Sequence, residues 1–233
     1  MRRLHLVRHG LSAVDSDLPA HHWGLDPAGF DAIEELRTSH RIPATARWFS
    51  SPEPKALGTS RRLTDSPVGV VDHLREHERG VTPWFAAATD FRAVVRRAFD
   101  DPQTPAYDGW EPLRVTRDRL VPAVRRILAH HPDDEIVLVG HGTAWTLLKA
   151  ELTGEPPDLE AWAALQMPDL WVLEVPNGSL SGDRKTSYVL VDSYDVRRGG
   201  TLVGLCLTSP PRTFPWFSTS HEAARSHRAT SLI

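Results

Sequence analysis

"LHLVRHG" at residues 4–10 and "IVLVGHG" at residues 136–142 each run a short apolar strand straight into a His-Gly pair, at His9 and His141. In open α/β sheets, ligands sit beyond the carboxyl ends of the strands, near the point where strand order reverses. If these two strands are neighbours, both imidazoles and Arg8 face one crevice, and each glycine lets a bound group come close to the backbone. The helix after Gly142 would then add N–H groups and the positive end of its dipole, which favours an anion such as phosphate.

Outward from these two strands, apolar runs of strand length alternate with amphipathic stretches. The pattern predicts an α/β fold, a three-layer α/β/α arrangement with a mostly parallel central sheet and a helical insert over the crevice. "LDPAGFDAIEELRTS" (25–39) offers Asp26 as N-cap, Pro27 at the first helical position, and Phe30, Ile33 and Leu36 at helical spacing. "ARWFSSPEPKALGTSRRL" (46–63) reads as a strand ending at Ser50-Ser51, a turn with Pro52 and Pro54, and a helix from about Lys55. "VGVVDHL" (68–74) reads as a further strand. The insert, about 77–132, carries two apolar stripes: Phe91, Val94, Val95, Ala98 and Phe99, then Leu120, Val124, Ile127 and Leu128. "LWVLEV" and "SYVLVDSY", joined through Asn177-Gly178, read as a hairpin. The expected domain spans 1–209. Residues 210–233, rich in Ser, Thr and Arg with little periodicity, read as a tail of uncertain order.

Composition removes several classes of function. The chain has 233 residues, 40% of them hydrophobic, enough for one sizeable core. Twenty-seven basic against thirty acidic side chains leave a net charge of −3, so no global field draws nucleic acid or an anionic membrane. One cysteine excludes an intrachain disulfide and a multi-cysteine metal site. No apolar run approaches membrane-spanning length. A soluble, cytoplasmic protein is expected. The pairs His21-His22 and His130-His131 lack a third ligand at a recognised spacing, so no catalytic metal and no cofactor is expected.

Five stretches in order, "LVRHG", "SSPEPKALGTS" (50–60), "LREHERG" (74–80), "GWE" (109–111) and "VGHG" (139–142), resemble the histidine phosphatase superfamily, also called phosphoglycerate mutase-like. The resemblance covers roughly residues 1–175. It implies a metal-independent phosphomonoester hydrolase acting through a phosphohistidine on a small phosphorylated metabolite. His9 is then the nucleophile, Glu76 the proton donor and base, and His141 the third catalytic residue. Arg8, Lys55 and Gly142 match phosphate-binding positions. The chemistry suits these residue types: imidazole is largely unprotonated at neutral pH, and the charge spread over the transferred phosphoryl group calls for donors and cations around it. A carboxyl group beside a phosphate dianion is raised and can hold the proton that the leaving oxygen needs. Phosphoglycerate-mutase-like transfer and a non-catalytic phosphate-binding regulatory module are the alternatives.

Two positions depart from the family pattern. Lys55 stands where a second arginine is usual, replacing a bidentate fork by a point charge. Asp15 stands where an asparagine often meets the phosphate, so it turns away, is protonated, or meets a cationic part of the substrate. Trp84, Phe85, Tyr107 and Trp110 in the insert either line a substrate pocket or pack against one another.

Overall fold

In this computed structural model residues 2–80, 85, 88–175, 188–195 and 200–201 are described. The strands are β1 (Arg2–Arg8), β2 (Arg47–Ser50), β3 (Val68–Val70), β4 (Ile136–Gly140), β5 (Asp169–Val175), β6 (Val189–Asp195) and β7 (Gly200–Thr201). The helices are α1 (Phe30–Thr38), α2 (Pro54–Leu63), α3 (Ala88–Asp100), α4 (Leu113–His130), α5 (Gly142–Thr153) and α6 (Leu159–Ala164). The sheet order is β3-β2-β4-β1-β5-β6-β7. The pairs from β3 to β1 are parallel, and β5, β6 and β7 continue antiparallel. The sheet is therefore mostly parallel by strand direction, and β1 and β4 are neighbours.

Period-two alternation splits the apolar side chains between two faces. Leu4, Leu6, Ile136, Leu138, Trp171 and Leu173 meet α4 and α5 through Leu120, Val124, Leu128, Trp145 and Leu148. Val7, Val137, Val139, Leu170 and Val172 meet α1 and α2 on the other side through Ile33, Leu36, Ala56 and Leu63. β4 is buried along its whole length, as a central parallel strand covered on both faces should be. A third cluster joins α3 to Trp110, Leu113 and Leu147 and forms the helical cover at one end of the sheet.

Local chemistry places the elements close to expectation. Asp26 accepts a hydrogen bond from Ala28 N (2.9 Å), and a 3-10 turn at Pro27–Gly29 runs into α1. Pro54 opens α2 at its first position. β3 is shorter than the apolar run suggested: the ladder ends at Val70, and Asp72–Leu74 form a 3-10 turn instead. Val70 is exposed at this sheet edge, and only Leu74 of that turn is buried. β5 and β6 pair as the expected hairpin. The Asn177-Gly178 turn and residues 210–233 lie outside the described residues.

The strand-to-helix turn after β4 is tightly packed. A Cβ at Gly140 would lie 2.4 Å from Trp145 Cζ2, and the indole is held by its own hydrogen bond to Val7 O (2.8 Å). Gly140→Ala should therefore destabilise the fold by about 1–3 kcal/mol, as overpacking does. Thermal or urea unfolding of the variant checks this, and an unchanged midpoint would show that the indole moves freely.

Candidate active site

The sheet register decides which side chains meet. Arg8 pairs with Gly140 across β1 and β4, and His9 N donates to Gly140 O (2.9 Å). Ser51, just past β2, donates its N–H to Val139 O (2.9 Å). The ends of β1, β2 and β4 thus open into one cleft of about 580 Å³, lined by Arg8, His9, Glu53, Lys55, Glu76, Arg79, His141 and Gly142 among others. All six residues singled out from the sequence, His9, Glu76, His141, Arg8, Lys55 and Gly142, are brought together there.

His9 is buried, and its Nδ1 lies 2.7 Å from Gly10 O. A carbonyl only accepts, so Nδ1 carries the proton and Nε2 keeps its lone pair. Burial pushes the imidazole well below its ordinary value, and His141, Arg8 and Lys55 push it the same way. His9 is therefore neutral at physiological pH, as a nucleophilic nitrogen requires. The His141 ring meets it edge-on at 5.3 Å. His141 Nε2 lies 2.8 Å from Ser51 Oγ and 3.3 Å from Glu53 Oε1. Burial also lowers His141, against the pull of the Glu53 and Glu76 carboxylates.

Arg8 donates through Nη1 to the carbonyls of Leu165 (2.8 Å) and Gln166 (3.2 Å). A Cβ at Gly142 would stand 3.4 Å from Arg8 Nε and 3.3 Å from Leu165 Cδ1, so glycine there leaves the guanidinium its room. Lys55 is buried and donates to Ala20 O (2.5 Å) and Glu53 Oε2 (2.6 Å). The ammonium thus sits in an ion pair within the cleft wall, which sequence spacing did not foresee.

Glu76 differs from expectation in its surroundings. Its carboxylate accepts from Thr143 N (3.2 Å), Ala144 N (2.9 Å) and His77 N (2.9 Å), and Arg79 Nη2 lies 3.8 Å away. It caps α5, so those first N–H groups of the helix serve Glu76 and are not open to an incoming anion. Burial alone would raise this carboxyl, but Arg79, His141 and the two better N–H donors outweigh it and hold it at about 2. Without phosphate, Glu76 is an anion. A buttress fixes the loop that carries it: Arg119 donates to Glu76 O (2.7 Å), Arg75 O (2.9 Å) and Glu111 Oε1 (2.8 Å). Glu111, in the "GWE" stretch, also takes Glu78 N and Thr116 Oγ1.

A family model described as the histidine phosphatase superfamily (branch 1) matches residues 4–182. The chain belongs to the histidine phosphatase superfamily. Solved structures share its fold. A structure titled mycobacterial hydrolase 1 superposes with a TM-score of 0.64 at 21% identity, over 82% of this chain and 97% of the other. A mycobacterial glucosyl-3-phosphoglycerate phosphatase gives 0.61 at 22%, over 81% and 96%. A phosphoserine phosphatase variant from Entamoeba histolytica gives 0.62 at 15%, over 84% and 98%. No curated protein sequence matches the chain.

Within this superfamily frame, the two departures resolve differently. Asp15 is exposed, accepts from Asp17 N (2.9 Å), and is not part of the cleft lining, so it is turned away. Lys55 does line the cleft. Of the insert aromatics, Phe85, Tyr107 and Trp110 pack on one another, while Trp84 lies outside the described residues. Phe91 and Trp23 line the cleft instead. Two site residues escaped the sequence reading. Arg79 bonds Thr143 Oγ1 (2.7 Å) and lies over the Phe91 ring at 4.9 Å. Glu53 touches Lys55 and His141. Their only signals were a cation three residues after Glu76 and an acid two residues before Lys55.

The Glu76 carboxyl links stability to pH. Its folded value lies below the ordinary 4.5, so it stabilises the fold above about pH 4.5 and loses that contribution as pH falls toward about 2. The full effect is on the order of 3 kcal/mol. The stability gap between the native protein and Glu76→Gln should therefore narrow between about pH 6 and pH 3 in urea unfolding. A gap independent of pH would mean that Glu76 is not held as an anion.

Proposed function

We propose that the protein is a phosphomonoester hydrolase acting through a phosphohistidine on His9, without a metal ion, on a small phosphorylated metabolite. The observation that supports this most is the His9 tautomer: Nδ1 is tied to Gly10 O, and the unprotonated Nε2 belongs to a cleft that also holds Arg8, Lys55, His141 and Gly142. The phosphatase names of two structures with the same fold agree with it.

In the first half-reaction Nε2 of His9 bonds to phosphorus as the ester P–O bond breaks. Arg8, Lys55 and His141, with the backbone at Gly142, face the negative charge on the three equatorial oxygens. The leaving oxygen takes a proton from Glu76. Because Glu76 is ionised in the empty cleft, that proton must arrive with the substrate. A phosphomonoester bound as its monoanion supplies it, and the resulting dianion raises the nearby carboxyl. In the second half-reaction Glu76 takes a proton from water, the water oxygen bonds to phosphorus, and the P–N bond to His9 breaks. Inorganic phosphate leaves as its monoanion with the proton that Glu76 took up, so the carboxylate and the imidazole both return to their starting states.

Rapid quenching during turnover of a labelled phosphomonoester, with excess chelator present, should leave label on the protein as an acid-labile, alkali-stable phosphoramidate. His9→Ala should abolish both label and turnover. Label on another residue, or activity that needs a divalent ion restored, would overturn the reading.

Lys55 gives a second test. Two of its three protons serve Ala20 O and Glu53, which leaves one for a phosphate oxygen. Lys55→Ala should raise KM and the inhibition constant of inorganic phosphate by about tenfold or more, as loss of a charge-assisted bond does. Lys55→Arg should not restore them, because a planar fork cannot meet three acceptors set in different directions. Steady-state kinetics with phosphate inhibition checks both variants.

A further inference from the structure

Glu53 is a carboxylate placed where a phosphate-binding cleft would be expected to exclude one. It follows β2, immediately before α2, and is only 5% exposed. Its Oε2 lies 2.6 Å from Lys55 Nζ. Its Oε1 accepts from Glu76 N (2.8 Å) and lies 3.3 Å from His141 Nε2. One buried side chain thus contacts three of the residues that the proposed reaction uses. A buried anion persists only when such partners repay its desolvation.

The contact with His141 has a chemical consequence. Nε2 of His141 is hydrogen-bonded to Ser51 Oγ (2.8 Å), whose hydroxyl can accept or donate, and the Glu53 carboxylate 3.3 Å from the same nitrogen favours a proton there. The other nitrogen, Nδ1, is buried and has no hydrogen-bond partner among the described residues. In the neutral ring that nitrogen presents a lone pair, which repels a phosphate oxygen; as imidazolium it becomes a donor. Charged groups face His141 from three sides. Glu53 and Lys55 come from the start of α2, Glu76 and Arg79 from the segment after β3, and Arg8 and His9 from the end of β1. Glu76 is engaged with the α5 N–H groups and Arg79, which leaves Glu53 as the carboxylate in direct contact with the ring.

We propose that Glu53 is a positioning residue: its charge favours the Nε2–H tautomer of His141 beside Ser51, it is the counter-ion of that ring when a phosphoryl group occupies the cleft, and it holds Lys55 and the Glu76 backbone in place. This rests on the reading of the cleft as a phosphoryl-transfer site. With substrate bound, His141 takes up a proton from solvent at Nδ1 and donates it in a hydrogen bond to a phosphate oxygen, while Glu53 balances the charge on the opposite nitrogen. Lys55 keeps its third proton directed by the same carboxylate.

Histidine-labelled protein saturated with inorganic phosphate tests this by nuclear magnetic resonance, with the His141 ring signals assigned through a His141→Gln control. The pH midpoint of His141 should fall by about one unit or more in Glu53→Gln, since an opposite charge at this range shifts a pKa by about that much. The sign follows from the cation: without its carboxylate, the imidazolium is lost at lower pH. Glu53→Asp keeps the charge on a shorter arm and should lie between the two, which preserves the test if Glu53→Gln does not fold. The alkaline limb of kcat/KM should move in the same direction and order. Equal His141 midpoints in native protein and variants would overturn the proposal. Inorganic phosphate is the probe, so the shift is read without turnover and is separate from whether the protein hydrolyses esters.

Discussion

The parallel pairing of β1 with β4 is the constraint on which the rest depends. Because Arg8 stands opposite Gly140, both strands end at the same level and their chains turn off into a shared cleft. The histidines that follow are brought together by backbone hydrogen bonds, which fix position more firmly than any side-chain contact. The two strands are locked further by the Trp145 indole on Val7 O, which ties α5 to β1 across the strand that precedes α5. Gly140 exists at that point because the indole occupies the space a side chain would need. Packing in the core thus sets the geometry of a polar site that core packing alone would never favour.

Charge in this site is almost balanced before anything binds. Arg8, Lys55 and Arg79 are cations, Glu53 and Glu76 are anions, and both histidines are lowered by burial. Isolated buried charges of either sign would be costly, and paired ones tolerable. The pairs Lys55–Glu53 and Arg79–Glu76 divide the cleft into two nearly neutral halves, with Arg8 held by backbone carbonyls between them. An arriving phosphate group therefore meets a site whose protons and contacts must be redistributed. Glu76 is the clearest case, since the same carboxyl that caps α5 as an anion has to carry a proton in the proposed reaction.

The sequence showed the strands, the His-Gly pairs and the glutamate after β3, because each is encoded by local periodicity and by motifs close in the chain. The apolar alternation in β1 and β4 translated directly into two packed faces. "VGVVDHL" misled at its end because apolar residues at a sheet edge look like a longer strand, yet after one last hydrogen bond from Val71 N to Ser50 O the chain turns into the 3-10 segment Asp72–Leu74. Glu53, Arg79 and Arg119 were not legible in the same way. Glu53 reaches Glu76 N across 23 residues of chain, Arg119 reaches Glu76 O across 43 and Arg79 reaches Thr143 across 64, and no spacing rule encodes such meetings. In "SSPEPKA" the glutamate lies in the turn between two prolines, and only the fold buries it against His141.

The lysine at position 55 makes physical sense beside that glutamate. A guanidinium is planar and its donors lie in one fork, suited to a single bidentate acceptor. The acceptors here are the Ala20 carbonyl from the loop after β1, the Glu53 carboxylate from the adjoining turn, and the space of the cleft. An ammonium distributes its three protons tetrahedrally and can serve all three directions at once. Through Ala20 the same nitrogen also ties down the segment that brings His21, His22 and Trp23 to the cleft wall. Exchanging the fork for a point charge therefore couples the proposed phosphate site to its own rim, and Glu53 is the group that makes the exchange tolerable.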